Sequence, residues 1–407
     1  MSSRLQRPPD APSEADRLVI TVVAHLDQLR AVREAYQGLL DRLPDGRGVF
    51  YAIEWLEAFA PLFLTEGRRL HFLLIRRGAE LVGVAPMVVS RRPWSRGHAR
   101  VLEFWGGIDG SLRLEGDLLF PGASDAEAGA QAVVRWLTSA ASNVDVMDLQ
   151  YFREVSTSRA AFAAAARPEA IRLEPMRTHR AQMAASYPEH LARLKKSMLS
   201  IVQNRQRAIE RDLGAELVCR ERLSDDELAQ VEQLHIKRQQ QLMAGGRERH
   251  SLFENDVERQ CYRRVLDAAA TDGTGRHYLL KAGPKIIAFG LCFHKQRTLF
   301  CHVTAFDPDL GRYKLGRVLE LMKTRAEIER GDTDVMDMLP GTTQVKEDFG
   351  TEVFNHFRYQ GYCRRTLGSR VRQWVWVATG KAGRAVKRVM GRGARAIVES
   401  TASAPLR

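Results

Sequence analysis

Along this chain the apolar positions change period repeatedly, from the short alternating runs of strands to the three-and-four spacing of helices. Residues 17–23 read as a first strand, with a helix following to about 43 and another over 52–65. Residues 70–75 and 81–89 predict a hairpin around the turn Arg77-Gly78-Ala79. Strands over 101–105 and 112–120 come next, then a helix over 124–141 that leads into Asp145-Val146-Met147-Asp148. A long helix over 187–213 is stopped by Gly214. Beyond it the pattern gives a strand over 216–219, helices over 225–243 and 254–270, and two hairpin strands, 277–281 and 285–294, parted by Gly283-Pro284. A strand over 298–306, a turn over 307–311, a helix over 315–330, a strand over 334–339 and a last strand region over 353–364 complete the series.

Two passages recur in the same order. Asp-Val-Met-Asp stands at 145–148 and again at 334–337, and the hairpin at 74–83 matches that at 279–288, with Gly78 against Gly283 and Leu81-Val82 against Ile286-Ile287. A duplicated α/β unit explains both. The chain therefore divides into a polar leader over 1–16, a first unit over 17–180, a second unit over 181–365 and a tail over 366–407. Each unit is long enough to bury its own core, and alternating strands and helices predict a layered α/β architecture.

Charge separates the tail from the body. From Arg364 to Arg407 there are eleven Arg or Lys and one acid, Glu399, so this stretch carries +10 of the net +13. The leader lacks an apolar core, so it is not a secretory signal. No run of about 18 apolar residues spans a membrane, and a cytoplasmic location follows. The five cysteines show no Cys-x-x-Cys spacing. Cys292 and Cys301, in neighbouring strands, read as small buried hydrophobes in a reducing compartment. The histidines lack ligand spacing, so no metal is expected.

Four constellations carry possible chemistry. In the first, a strand ending at Phe306 runs through an Asp/Pro/Gly turn into a helix near Leu315 and Gly316, flanked by Arg312, Lys314 and Arg317. Free amides and the dipole at a helix start suit phosphate oxygens. The second is Asp337 at a strand end, followed by Pro340-Gly341 and Lys346. Here Asp337 suits a general base and Lys346 an anion. The third is the pair His235 and Arg238, three apart on one helix face. The fourth is His302 on the 298–306 strand, a side chain able to act as a base near neutral pH.

On these residues the chain resembles the CelD/BcsL-type acetyltransferases of cellulose and exopolysaccharide biosynthesis. These are GNAT-superfamily proteins with tandem GNAT-like units, related to the FemAB-type ligases. The matching pieces are the basic helix at 187–213, Leu234-His235-x-x-Arg238, Phe306-Asp307-Pro308 before Gly316, and Asp337-x-x-x-Gly341-x-x-x-x-Lys346. The resemblance implies two tandem GNAT-like domains, each a mixed, mostly antiparallel sheet flanked by helices. It also implies acetyl-CoA or another acyl-CoA as donor, with its diphosphate over 314–317 and its pantetheine arm beside the 298–306 strand. Donor-binding residues would then be Thr304, Phe306, Arg312, Lys314, Leu315, Gly316 and Arg317, and acceptor-binding residues His235, Arg238, Gly341 and Lys346. Asp337 is the expected base, with His302 second, and Tyr359 or Tyr362 would protonate the leaving thiolate. The sequence departs from the family pattern at Lys314, where an earlier glycine is usual, and at Val345 and Gln239, where aromatics are common. The first unit, lacking a comparable loop, is expected to be structural or to hold the acceptor.

The resemblance implies transfer of an acyl group to an amine or hydroxyl of a glycan precursor or similar polar acceptor. A FemAB-like transferase using aminoacyl-tRNA, or a non-catalytic scaffold, are the alternatives, and the nearly neutral body makes nucleic acid the weaker partner. In the tail, Val386, Val389, Met390 and Ile397 share a face away from most of the basic residues, with Trp374 and Trp376 nearby. Peripheral contact with an anionic membrane through 366–407 is the corresponding expectation.

Overall fold

The computed structural model describes residues 17–65, 67–94, 97–105, 115–166, 169–245 and 250–363. The 1–16 leader and the 366–407 tail lie outside these. The first half comprises β1 (Leu18–Val23), α1 (Leu26–Arg30), α2 (Arg33–Asp41), α3 (Ile53–Phe63), β2 (Arg68–Leu70), β3 (Phe72–Arg77), β4 (Glu80–Ala85), β5 (Met87–Trp94), β6 (Gly97–Phe104), α4 (Ala123–Thr138), β7 (Val146–Arg153), α5 (Arg159–Ala166) and β8 (Glu169–Gln182). The second comprises α6 (Tyr187–Arg193), α7 (Lys196–Leu213), β9 (Ala215–Arg220), α8 (Asp225–Ala244), α9 (Asp256–Thr271), β10 (His277–Ala282), β11 (Lys285–Lys295), β12 (Thr298–Phe306), α10 (Leu315–Arg330), β13 (Val335–Pro340), α11 (Gln344–Phe349) and β14 (Glu352–Tyr362).

The expected helix over 187–213 is two helices. Ser186 caps α6 by accepting from the Glu189 amide, and Leu194 turns extended to bury its side chain, which ends the first helix before the second begins. Of the strand expected over 112–120, the described part makes only two isolated bridges, Gly116 to Phe152 and Leu119 to Val84. β8 is a strand that the apolar pattern does not announce.

The pairing repeats. β1 lies antiparallel to β3 and β3 to β4, as β9 lies to β10 and β10 to β11. β5 pairs antiparallel with β6, and β11 with β12. Then β6 runs parallel to β7, as β12 does to β13. Even the ion pairs at the strand starts recur: Arg100 holds Asp145, and Arg297 holds Asp334 at 2.7 Å. One difference is Pro86. It has no amide to donate, so the ladder that is continuous in β11 is broken between β4 and β5. β1, β3 and β4 consequently form a separate three-stranded sheet.

The halves then exchange their last strands. β8, from the first half, pairs with β13 of the second; β14, from the second, pairs with β7 of the first; and β8 and β14 pair with each other. The result is an eleven-stranded sheet ordered β2-β5-β6-β7-β14-β8-β13-β12-β11-β10-β9. A boundary at 180/181 falls inside β8. Three apolar cores fill the faces. The first lies under α4 and α5, the second under α10 and α7, and the third joins the halves through α3, α8 and α9. In the third, Phe50 and Trp55 meet Phe293 edge-on at 6.4 and 4.9 Å. No helix among the described residues is long and apolar enough to cross a membrane.

Candidate active site

β12 and β13 touch only over Thr298–Phe300 and Val335–Asp337. Past that point their pairing ends, and among the described residues no strand pairs with the β13-facing edge of residues 303–306. Backbone amides and carbonyls on an unpaired edge can hold an extended ligand. The end of β12 lies against the start of α10, where Phe306 meets Gly316. The Arg317 amide there donates to the Lys314 carbonyl at 2.9 Å, while the Leu315 and Gly316 amides come too early in the helix to have an intrahelical acceptor. Lys314, the cap, stands at φ +55, a left-handed conformation that costs a non-glycine residue roughly 1 kcal/mol. A lysine thus holds a backbone conformation that glycine adopts without strain.

Most of the predicted donor residues meet here. Thr304, Arg312 and Lys314 are exposed, and Phe306 is partly buried. A side chain at Gly316 would start 3.1 Å from the Phe306 ring and 3.7 Å from Val345. The glycine thereby lets the ring lie against the helix start. The Arg238 guanidinium sits 4.2 Å from the centre of that ring, so Arg238 does reach the cleft. Arg317 is committed to Asp348 at 2.6 Å. Arg312 donates to the Tyr313 hydroxyl at 2.9 Å, which leaves the rest of its fork facing outward.

In the first half the corresponding opening is closed. Gly116 bridges to β7, donating to the Tyr151 carbonyl at 3.1 Å. The Phe120 ring fills the space beside α4 so tightly that neither Gly83 nor Gly129 has room for a Cβ. Any donor cleft therefore belongs to the second half.

Several sequence-based expectations are corrected by position. Tyr359 is buried among Phe152, Phe162 and Phe357 in the first half's core, with its hydroxyl accepting from Arg159 at 3.0 Å. Tyr362 pairs with Val146. Strand exchange carries both tyrosines away from the cleft, so neither can protonate a thiolate there. His235 is a core residue. It donates from Nδ1 to Ser251 Oγ at 2.7 Å and accepts from Gln239, and burial pushes its pKa down to about 4. Lys346 donates to the carbonyls of Leu339 and Pro340, at 2.8 and 3.4 Å, and Gly341, at φ +111, donates to Arg177. Both shape the end of β13.

Asp337 is 1% exposed. One oxygen accepts from the Arg180 Nε at 2.7 Å and the other from the Leu339 amide at 2.9 Å, which pins Leu339 in a left-handed kink at φ +55. Burial raises its pKa, and Arg180 opposes the rise. A carboxylate so enclosed positions the strand and cannot meet an acceptor as its base. His302 is only partly buried. Its Nδ1 lies 2.7 Å from the Tyr262 hydroxyl, and the two rings stack at 5.6 Å. Phe50, Trp55 and Phe293 also pack against the ring, at 5.8–5.9 Å.

Sequence reasoning missed the polar cluster that joins the halves. Asp45 accepts from Arg153 at 2.5 Å and pairs with Arg47; Arg153 also pairs with Glu115 at 2.8 Å. Glu115 accepts from His356 at 3.0 Å and from Thr178 at 2.9 Å. The guanidiniums of Arg153 and Arg180 both lie over Phe354. Burial would raise the Asp45 carboxyl, but Arg47 and Arg153 overcome it and hold it at about 2; Arg153 and His356 likewise hold Glu115 well below the carboxylate range. No signal short of knowing β8 and the exchange would have gathered these residues. Among the described residues no group of His, Cys, Asp and Glu is arranged to hold a metal ion.

Comparison with known proteins agrees with this geometry. Residues 196–347, which contain the whole cleft, match the family model described as Acetyltransferase (GNAT) domain. No curated protein matches the chain. Among solved structures, FemX is similar at TM-score 0.54 and 12% identity, covering 80% of this chain and 95% of that one. The C-terminal domain of a putative lysylphosphatidylglycerol synthetase from Agrobacterium fabrum is similar at TM-score 0.50 and 11% identity, covering 84% and 95%. A tandem GNAT protein from the clavulanic acid biosynthesis pathway aligns at TM-score 0.43 and 11% identity, covering 86% and 100%. The second half thus matches a GNAT acetyltransferase domain model, and the chain shares its fold with FemX.

Proposed function

We propose that this protein transfers an acyl group from acyl-CoA, acetyl-CoA in the simplest case, to an amine or hydroxyl of a polar acceptor such as a glycan precursor. The observation that carries the reading is the parallel pair β12/β13 parting after Phe300 and Asp337, directly before the start of α10. The amides of Leu315 and Gly316, with the exposed cations Arg312 and Lys314, would receive the diphosphate. The open edge of β12 near Thr304 would receive the pantetheine amides. The donor supplies a thioester carbonyl that is already activated, so the protein's task is to orient the acceptor, take its proton and shield the site from water. We assign the base to His302, two residues past the last β12 position paired with β13, oriented by Tyr262. Phe306 and Arg238 form the wall between donor and acceptor sides.

Titration calorimetry with acetyl-CoA tests the reading. Saturable binding that Gly316→Val abolishes supports it, and no binding at millimolar donor refutes it. A role in exopolysaccharide assembly is the accompanying proposal for the acceptor, supported by the family resemblance. The fold shared with FemX and the basic α7 favour a second reading, transfer of an aminoacyl group from charged tRNA. Binding to aminoacyl-tRNA without binding to acetyl-CoA would select it. Peripheral attachment to an anionic membrane through 366–407 is proposed from the sequence, and vesicle sedimentation of the full chain against a chain ending at residue 365 tests it.

A further inference from the structure

Beside the point where β12 parts from β13, one group of reactive side chains has no part in the proposed transfer. Cys292 on β11 and Cys301 on β12 are direct cross-strand partners, beside a bulge between Leu291 and Cys292. Directly opposed residues on one sheet face hold their Cβ atoms within about 5.5 Å, a separation that a disulfide spans with small backbone adjustment. Above them α10 lowers Lys323 into the core. This lysine has no exposed surface, and its ammonium donates to Cys301 Sγ at 3.2 Å and to Glu320 at 2.9 Å. The second Glu320 oxygen is buried without a partner. Burying an ammonium is costly unless anions or strong acceptors surround it. Here the acceptors are one carboxylate and one sulfur, an arrangement that favours a thiolate at Cys301.

The two thiols differ in the way a reactive pair requires. Cys292 is fully enclosed and its thiol is pushed up by burial, whereas Cys301 is partly open and is held below the ordinary range, first by the adjacent Cys292 thiol and then by Lys323, against burial. Burial pushes up the thiols of Cys219, Cys261 and Cys363.

We propose that Cys301 and Cys292 form an oxidisable dithiol, in which Lys323 prepares Cys301 as the nucleophile and a hydroperoxide closes the pair into a cross-strand disulfide. The Cys301 thiolate attacks a peroxide oxygen, the O–O bond breaks, and hydroxide leaves to take up a proton as water, producing a sulfenic acid. The Cys292 sulfur then attacks the Cys301 sulfur. The S–S bond forms, the S–O bond breaks, and a second water leaves with the Cys292 proton. Two thiols and one hydrogen peroxide give one disulfide and two waters. The link would fall next to Phe300, where β12 begins to part from β13.

The test uses the full chain. After exposure to hydrogen peroxide, remaining thiols are alkylated and the unreduced digest is mapped by mass spectrometry. The expected product is one peptide pair joining Cys292 to Cys301, reversed by dithiothreitol. Cys292→Ser should stop at a Cys301 sulfenic acid trapped by dimedone, and Lys323→Met should slow oxidation at least 10-fold. Oxidation confined to Cys219, or Lys323→Met reacting at the wild-type rate, would overturn the proposal. Should Lys323→Met not fold, the pH profile of Cys301 alkylation in the wild type decides. A midpoint below the ordinary thiol value of 9.0 supports the assignment, and one at or above it refutes it.

Discussion

Replacing Arg180 by methionine isolates a charge in the centre of the molecule. Asp337 is 1% exposed, and Arg180 is the cation that touches it, at 2.7 Å. Removing one partner of such a pair typically costs about 3–5 kcal/mol, because the remaining ion is neither solvated nor compensated. Proton uptake sets a ceiling on that cost. A carboxyl with an ordinary value of 3.8 can be neutralised for about 4 kcal/mol at pH 7 and for less than about 2 kcal/mol at pH 5. The sign follows from linkage. A carboxyl whose folded-state pKa lies above its unfolded value binds more protons when folded, so lowering the pH stabilises the fold. Arg180→Met should therefore lose about 3–4 kcal/mol at pH 7, and its deficit against wild type should fall below about 2 kcal/mol at pH 5, as read from urea unfolding. Asp337→Asn in the same background should recover most of the loss. The converse single change, Asp337→Asn alone, should cost less, because Arg180 keeps Asp45 at 4.0 Å and the ring of Phe354. A deficit under about 1 kcal/mol at pH 7, or one unchanged at pH 5, would refute the buried pair.

The same assignment separates the two candidate bases: His302→Gln should lower kcat about 100-fold or more at unchanged affinity for acetyl-CoA, while Asp337→Asn keeps turnover within a few-fold, in a coupled thiol-release assay. Substitution at two glycines should divide by half. Gly316→Val meets the Phe306 ring and should weaken donor binding at least 10-fold by calorimetry with little change in Tm, whereas Gly129→Val, against the buried Phe120 ring, should lower Tm by several degrees. The central cluster also fixes the acid limit. Asp45 is held at about 2 against an ordinary 3.8, a stabilisation of about 2 kcal/mol that is fully present above pH 3.8 and is lost as pH falls toward 2; with Glu115 shifted the same way, circular dichroism should follow a steep loss of structure over that window, and Asp45→Asn should flatten it.

The second half was largely legible because its elements are local. The strand–turn–helix from β12 to α10 could be read from apolar runs and from Pro and Gly, and the repeated Asp-Val-Met-Asp pointed to the duplication that the strand pairing displays. β8 was illegible for a physical reason. A central strand normally reads as apolar on both faces, yet this one sends Thr178 and Arg180 into an ionic cluster, with His179 between them and Ala181 following. With β8 unseen, Asp337 lacked its partner and looked like an available base. Tyr359 and Tyr362 were misplaced by the exchange, since nothing local tells a strand that it will pair with the other half. The histidines show the limit of side-chain type as a signal. Sequence placed His235 at the acceptor and His302 as the second-choice base, and only the packing of Ser251 and Gln239 against one, and of Tyr262 against the other, separates a core histidine from a partly open one.

Duplication and exchange together account for the polar centre. When two copies swap their last strands, β8 and β14 become neighbours and stand together between β7 and β13. Each copy contributes the last acid of its Asp-Val-Met-Asp motif, inside the strand, and both acids are buried. In the second copy Arg180 answers Asp337. In the first, Arg92 and Arg358 answer Asp148, at 2.6 Å each. Relaxation of selection on one cleft then has a structural route. The first copy could close its opening with the Gly116 bridge and fill it with Phe120, while the segment from Glu115 to Asp117 turned inward to supply acids for Arg47 and Arg153. The closed half thereby became the electrostatic footing of the open one. Arg180, which fixes Asp337 and through it the kink at Leu339, lies 4.0 Å from Asp45 of the first half, so the edge of the cleft is set by residues that a single unit could not provide.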